Sequence, residues 1–353
     1  MSLLHINVIK IFFLLVFSFF VAVLWTPLLT RFLYKYKLWR KSARTQSIDG
    51  KPVPVFYKFN KGKEVGTPRL GGLLIWVTTI FIAFLFSFLS SISGNFWLQK
   101  LNFLSREQTW LPLAVLGAAA LLGLADDVLQ IFGKGKYIAG GIKFIRRLSI
   151  IFLIGTIGAW WFYFKLGFHT LHIPGIGDAE IGFWLFPLFI LVMLACWAGG
   201  VIDGLDGLAG GAFVIIFGAF SIISFSQAQY NLAAFCAVIT GTILAFLWFN
   251  ISPARFYMGE TGTIALTSVL AVVSFLTDSV LLLPIIAGLL VLEAGSVILQ
   301  LLSKKFLKKK IFIAAPIHHH LQAKGWSSEQ ITMRFWILGI VFAIVGTAIR
   351  LLR

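Results

Sequence analysis

Five acidic side chains stand at the ends of long apolar segments, although the chain has only 13 aspartates and glutamates in 353 residues. Asp126 and Asp127 are adjacent, Asp203 and Asp206 form the pattern D-G-L-D-G, and Glu260 follows in M-G-E-T-G. Ionisable groups are costly in apolar segments, so their presence indicates a function. Grouped carboxylates raise each other's pKa values unless a cation neutralises them. Such an oxygen-only set suits Mg²⁺, which binds one or two carboxylates together with water and substrate phosphates.

Glycines flank the second pair of carboxylates, and three histidines stand together near the end of the chain. Gly204 and Gly207 surround the second acidic pair, and such turns let backbone N–H groups approach phosphate oxygens. His318, His319 and His320 are consecutive. Because consecutive side chains point in different directions, we interpret one or two of them as hydrogen-bond donors to a phosphate or sugar rather than as a three-histidine metal site.

The composition indicates that the chain carrying these residues is a membrane protein. Hydrophobic residues make up 59% of the chain and charged residues 12%, with a mean hydropathy of +0.93. Soluble domains are about 45–50% apolar and about 25% charged. These values exclude a soluble nucleotide-binding enzyme, a disordered tail, a disulfide scaffold and a nucleic-acid-binding domain. The net charge of +17 is therefore a topology signal and gives no reason to expect a nucleic-acid partner.

Hydropathy predicts an all-α polytopic membrane protein in a single domain, residues 1–353. The apolar runs are too long and too evenly apolar for the alternating strands of a membrane barrel. We predict about ten transmembrane helices, at 8–34, 70–93, 110–130, 144–166, 182–202, 207–226, 231–251, 261–277, 279–302 and 334–352.

The distribution of lysine and arginine predicts the orientation of these helices. One set of loops carries 24 of the 30 basic residues, among them Lys41, Lys136 and Lys309. Since basic loops face the cytoplasm, we predict that both termini are external. The five acidic residues, which fall at the same ends of their helices as the basic loops, then form a site at the cytoplasmic face.

Several motifs resemble the phospho-N-acetylmuramoyl-pentapeptide-transferase family, within the larger group of polyprenyl-phosphate N-acetylhexosamine-1-phosphate transferases. The resemblance covers nearly the whole chain. The matching motifs are Gly66-Thr67-Pro68-x-x-Gly71-Gly72, Asp126-Asp127, Asp203-Gly204-Leu205-Asp206-Gly207, Phe249-Asn250-x-x-Pro253-Ala254, Met258-Gly259-x-Thr261-Gly262, Glu293-x-x-Ser296-Val297-x-x-Gln300 and Ala315-Pro316-Ile317-His318-His319-His320. The last motif is the one that separates this family from relatives that transfer GlcNAc-1-phosphate.

The resemblance implies a reaction at the inner face of the cell membrane. Undecaprenyl phosphate attacks the β-phosphate of UDP-N-acetylmuramoyl-pentapeptide in the presence of Mg²⁺, which gives lipid I and UMP for cell-wall peptidoglycan. The implied partners are these two substrates and the lipid bilayer, and a homodimer is left open.

The resemblance also implies roles for individual residues. Catalysis is expected of Asp126, Asp127, Asp203 and His318, and metal binding of Glu260 and Asp203. Substrate binding is expected of Thr67, Asp206, Asn250, Phe256, His319 and His320.

The chain departs from the family pattern at several positions, which keeps other functions open. The family has Asp at Glu260, Lys at Gln130 and at Glu64, and asparagines at Trp197 and Gly200; Arg69-Leu70 resembles the GlcNAc-1-phosphate branch. A transferase for another UDP-amino sugar, such as UDP-GlcNAc, is the first alternative. An ion-coupled transporter and an inactive homologue are the others, although a transporter should carry its charges near the membrane midplane.

Overall fold

The computed structural model describes residues 2–41, 65–134 and 140–352. Lys63, Glu64 and Lys136 lie outside the described residues. Within the described ranges, thirteen α-helices and one small hairpin follow in chain order: α1 (Leu3–Lys35), α2 (Gly72–Ile92), α3 (Phe96–Leu101), α4 (Trp110–Ile131), α5 (Phe144–Trp160), β1 (Thr170–Ile173), β2 (Gly177–Glu180), α6 (Leu185–Ala198), α7 (Leu208–Ser226), α8 (Tyr230–Asn250), α9 (Gly259–Leu276), α10 (Leu283–Ile286), α11 (Gly288–Leu302), α12 (Ile317–Ala323) and α13 (Ser328–Leu351).

In the described part of the chain, nine helical segments are long and apolar enough to cross a membrane. The protein is therefore an all-α polytopic membrane protein, as the hydropathy predicts. The nine segments coincide with nine of the ten predicted helices. Strands β1 and β2 pair antiparallel, with Thr170 opposite Glu180, in the loop between α5 and α6.

The remaining predicted helix, 279–302, is broken. Helix α10 ends at Ile286, and α11 begins at Gly288 after Ala287, whose backbone is not helical. At 15 residues, α11 is about 22 Å long, which is less than the ~30 Å of a hydrocarbon core. Together the two helices still carry the chain back across the molecule, because Ile286 contacts Gly346 near the end of α13 and Glu293 contacts His318.

Helix α9 lies at the centre of the bundle, against α2, α4 and α6, and nearly all of its residues are buried. Its first turn meets α4 so closely that a Cβ atom on Gly123 would overlap the main chain of Glu260 and Thr261. Small residues allow membrane helices to approach in this way. The contact brings the end of α4, with its two aspartates, beside the start of α9.

Side-chain hydrogen bonds identify the end of the molecule opposite to these aspartates. Lys10 in α1 donates to Asn231 at the start of α8 (2.6 Å), Gln229 donates to the carbonyl of Leu276 (2.7 Å), and Arg350 in α13 donates to the carbonyl of Thr277 (3.2 Å). The N-terminal end of α1 and the C-terminal end of α13 thus lie at the same end of the bundle, which we call the far end. This far end lies across the bundle from the acidic residues, in agreement with an even number of crossings.

Cysteine labelling tests which end is cytoplasmic. Because the basic loops lie at the acidic end, we expect Lys41→Cys and Lys309→Cys to resist a membrane-impermeant maleimide in intact cells. Lys165→Cys, which follows α5 at the far end and is exposed, is the matched site that should react. The native Cys196 and Cys236 are buried and should contribute little background. Labelling at position 309 from outside would overturn the predicted orientation.

Candidate functional site

Four carboxylates from three different parts of the chain meet at one end of the bundle. Asp126 and Asp127 lie on the last turns of α4, Glu260 lies in the first turn of α9, and Asp203 follows the 3-10 turn Gly199–Ile202 after α6. Electrostatic interactions couple Glu260 to both members of the α4 pair, and Asp203 to Asp127 and Glu260. The structure therefore gathers the aspartates expected to be catalytic and the residues expected to bind metal.

Asp126 is an anchor for the chain that follows α4. Its buried carboxylate accepts hydrogen bonds from the Ile142 amide (2.6 Å), from Gln130 (2.6 Å) and from Arg147 (3.2 Å). The same Arg147 nitrogen lies 3.2 Å from Oε1 of Glu260, so one guanidinium joins the two carboxylates. Because Asp126 is 1% exposed and Glu260 has a side chain 30% exposed, Glu260 is the member of this group that a solvent-borne ligand can reach.

Asp127 and Asp203 both receive main-chain donors from the start of α9. Oδ2 of Asp127 accepts from the Thr261 amide (2.9 Å), and Oδ2 of Asp203 accepts from the Gly259 amide (3.2 Å). The N-terminus of a helix stabilises negative charge through such amides. Oδ1 of Asp127 also lies 3.3 Å from Nε of Arg69.

Asp203 is buried beside other carboxylates, and its pKa reflects both conditions. The pKa of Asp203 is raised to about 7, chiefly by withdrawal from water and less by Glu260 and Asp127, against the opposing effect of Arg69 and the Gly259 amide. A nearby cation would lower the pKa of a carboxyl group in this position, because a positive charge favours the ionised form.

Asn250 is one of the residues that hold the D-G-L-D-G turn. Asn250 accepts from the Gly207 amide (3.0 Å) and donates to the carbonyl of Phe256 (2.9 Å), while Asp206 accepts from the Ala254 amide (3.4 Å). These bonds tie the turn to the loop 251–258. The Asn250 side chain is thus occupied by main-chain partners.

Phe256 is not brought to the surface of the site. Its ring is fully buried and lies 5.9 Å from the ring of Phe246 and 6.1 Å from that of Phe249. The expected substrate contact does not fit this placement, in which Phe256 packs in the core beneath Gly71.

The neighbouring Tyr257 lies beside Thr67 instead. The two side chains are hydrogen bonded, and the backbone of Tyr257 donates to the Pro68 carbonyl (2.8 Å) and accepts from the Gly71 amide (2.8 Å). Burial and the nearby Asp206 raise the pKa of Tyr257, so the phenol stays neutral. The loop carrying Thr67 is thereby fixed beside the turn that carries Asp206.

The three histidines lie on α12 and have different surroundings. His318 is buried and hydrogen bonded through Nδ1 to Glu293 (2.8 Å), and burial lowers its pKa to about 3. His319 is buried against Gln322 (2.7 Å). His320 is half-buried and accepts from the Ile313 amide (3.2 Å). Of the three, His318 approaches the acidic site, since its Nε2 packs against Gly204.

Comparison with known proteins shows the family of the chain. The profile of Glycosyl transferase family 4 matches residues 109–278, which include all four carboxylates. Proteins named phospho-N-acetylmuramoyl-pentapeptide-transferase match over most of their length. That of Geobacillus thermodenitrificans (strain NG80-2) is 34% identical over 334 residues, which cover 93% of this chain and 94% of the relative. That of Levilactobacillus brevis (strain ATCC 367) is 36% identical over 287 residues, covering 80% of this chain and 84% of the relative. This chain belongs to the phospho-N-acetylmuramoyl-pentapeptide-transferase family.

One departure from the family pattern has a structural counterpart. Gln130, where the family has Lys, accepts a hydrogen bond from Arg40 and donates one to Asp126 (2.6 Å). A cation from the segment after α1 is thus linked to Asp126 through a neutral side chain. Nothing in the structure explains the replacements at Trp197 and Gly200.

Sequence reasoning missed three members of this transferase-family site. Arg147 was counted only as a basic loop residue and Arg69 was noted only as a sign of the GlcNAc-1-phosphate branch, although they bind Asp126 and Asp127. Glu293 was noted only within a motif, although it is the partner of His318. A signal for Glu293 was present, because it is the one acidic residue in an apolar run of more than 20 residues.

The close packing of His318 on Gly204 gives a specific prediction. A Cβ atom at position 204 would overlap the imidazole, so we expect Gly204→Ala to displace the D-G-L-D-G turn and to lower transferase turnover at least about tenfold. Gly218→Ala in α7 is the control, because its Cβ would meet no atom within 4 Å. Turnover and thermal unfolding of both purified variants check this. Equal turnover in the two variants would contradict the contact.

Proposed function

We propose that this protein transfers phospho-N-acetylmuramoyl-pentapeptide from its UDP derivative to undecaprenyl phosphate, forming lipid I and UMP in peptidoglycan synthesis. The observation that carries the proposal is the meeting of the carboxylate–arginine cluster with the histidine helix α12 at one end of the bundle. Relatives that match the chain over nearly their whole length carry the name of this activity. We further propose that the site faces the cytoplasm, from the inner membrane of the cell.

The residues of the site suit a reaction between two phosphates. Phosphoryl transfer depends mainly on positioning and on neutralising the developing charge. Arg69 and Arg147 are already fixed by carboxylates, and the basic loops at this end of the bundle attract the two anionic substrates. Asp127 lies beside Arg69 and fixes that arginine at the site, while its own carboxylate is 0% exposed.

We propose Mg²⁺ as the cofactor, held by Asp203 and Glu260. Among the residues that the structure describes, no three His, Cys, Asp or Glu side chains converge closely enough to hold a metal alone. Two carboxylates completed by substrate oxygens and water agree with the usual binding of Mg²⁺. The raised pKa of Asp203 supports the fit, because a bound cation would favour the ionised form of a carboxyl group that burial disfavours. When bound, the ion would neutralise charge on the diphosphate.

The test is an assay of UMP release by the purified protein in nanodiscs with undecaprenyl phosphate. UDP-N-acetylmuramoyl-pentapeptide and UDP-GlcNAc are compared, each with Mg²⁺ and with EDTA. We expect Mg²⁺-dependent release from the pentapeptide substrate alone. Release of UMP from UDP-GlcNAc alone would favour the GlcNAc-1-phosphate branch of the group, whose pattern Arg69 matches. No release from either sugar nucleotide would overturn the proposal.

A further inference from the structure

Glu293 is a buried acid that the proposed reaction does not use directly. It lies on α11, is 0% exposed, and is the one acidic residue of that helix. Its Oε2 lies 2.8 Å from Nδ1 of His318, which is itself 1% exposed. A carboxyl group is rarely retained in such a place unless it is paired.

Each partner also keeps one buried polar atom without a hydrogen bond. Within the described part of the chain, Oε1 of Glu293 and Nε2 of His318 have no partner. A buried polar atom left unpaired is destabilising. An unpaired buried atom in a native protein calls for an explanation, and a catalytic role or a bound group is one.

Counting protons on the pair decides which kind of ligand Nε2 can meet. An ionised Glu293 beside an imidazole protonated only on Nδ1 would bury a net negative charge, which is costly. A pair without net charge has one proton between Oε2 and Nδ1, whether it is nearer the oxygen or the nitrogen. In both forms the imidazole carries its other hydrogen on Nε2, so that Nε2 is a donor.

The structure directs this donor at the acidic site. Nε2 is buried against Gly204, which is itself partly exposed, so the donor adjoins the D-G-L-D-G turn. The ring of His319 stands edge-on to that of His318 with centroids 4.1 Å apart, which limits rotation of the imidazole.

We propose that Glu293 is a positioning residue that holds the Nε2 hydrogen of His318 toward the Asp203–Gly204 turn, where it meets a diphosphate oxygen of the sugar nucleotide. This inference rests on the proposed function for the identity of the ligand. Its chemical content is a neutral acid–imidazole pair that donates to an anion. The N–H at Nε2 needs no acceptor from the protein, because the substrate oxygen is its acceptor.

A double-mutant cycle with His318 tests the inference. We expect Glu293→Leu to lower kcat/KM for the sugar nucleotide about 10- to 100-fold, the range for losing one hydrogen bond to a charged group. The KM for undecaprenyl phosphate should not change. Glu293→Gln should stay within about threefold of the wild type, because its amide N–H can donate to Nδ1 and keep the hydrogen on Nε2.

The cycle separates positioning from simple support of the fold. In a His318→Gln background, Glu293→Leu should cost little more activity, since its effect passes through the imidazole. Additive losses would overturn the proposal, as would normal kinetics in Glu293→Leu. Equal damage from Leu and Gln would also count against it. The matched control is Glu180→Gln, which makes the same exchange at an exposed site on β2.

A spectroscopic measurement tests the proton position without any transferase assay. In protein labelled with ¹⁵N-histidine, the His318 signal is assigned by its absence in His318→Gln. In the wild type we expect the imidazole of His318 to carry a proton on Nε2 and to form a hydrogen bond at Nδ1. A proton on Nδ1 alone would overturn the inference even if the enzyme is active. If the NMR result holds but UDP-N-acetylmuramoyl-pentapeptide is not used, the proposed function fails and the orientation of His318 stands.

Discussion

Replacing Asp127 or Asp203 with asparagine should lower the rate of UMP release at least about 100-fold, the scale for removing one positioned charge stabiliser. The structure gives the reason. Asp127 is the partner of Arg69 and of the Thr261 amide, and Asp203 binds the Gly259 amide. An amide at either position keeps the shape of the side chain but removes the negative charge that balances the arginine and would serve the metal.

Stability must be measured beside turnover, because both carboxylates also fix main chain. An asparagine NH₂ turned toward the Thr261 amide would leave a buried donor unpaired, at about 1–3 kcal/mol. Asp178→Asn in the hairpin at the far end is the matched control, since its carboxylate is 50% exposed and bound to His172. We expect that control to release UMP normally. If Asp127→Asn and Asp203→Asn do the same while folded, the site is misplaced and the transporter alternative gains support.

Glu260→Gln should abolish activity or sharply raise the Mg²⁺ concentration needed for UMP release. Glu260 is the most accessible carboxylate of the cluster, with a side chain 30% exposed, and its main chain is fixed against Gly123. Glutamate carries its carboxylate one methylene further than the aspartate of the family. Glu260→Asp should therefore retain partial activity, because a shorter ligand can act through a bridging water.

The measurement is a Mg²⁺ titration of UMP release by the wild type, Glu260→Gln and Glu260→Asp. Mn²⁺ should rescue the Asp variant better than the Gln variant, which has lost the charge. Arg147→Gln separates a metal role from an ion-pair role, since Arg147 is the residue paired with Glu260. If Glu260→Gln has the rate and metal dependence of the wild type, Glu260 is only an acid at the start of α9, and metal binding would fall to the aspartates.

Hydropathy was sufficient to predict the nine membrane-length helices of the described residues, because an apolar run of about 20 residues has few alternatives to a membrane helix. It predicted the broken segment 279–302 as one helix, since hydropathy records composition and not the backbone at Ala287. The placement of the acidic residues at the same end of their helices also followed from the sequence, because helix direction alternates along the chain.

The contacts among those residues were decided by tertiary structure. Glu260 and Asp126 are 134 residues apart, and they share Arg147 only because α4 and α9 touch at Gly123. Whether an aromatic residue in a motif faces substrate or core depends on the turn that carries it. Phe256 is buried while Tyr257 lies beside Thr67, and no spacing rule distinguishes adjacent positions in an irregular loop.

The sequence by itself thus determined which residues could do chemistry, that they lie at one end of a helical membrane protein, and which family they belong to. Residue type and hydropathy are local properties, so one sequence is enough to read them. The tertiary structure decided the partners: Arg69 for Asp127, Asn250 for the D-G-L-D-G turn, and Glu293 for His318. A hydrogen bond is made at about 3 Å, and only the packing of helices distant in sequence sets positions to that accuracy.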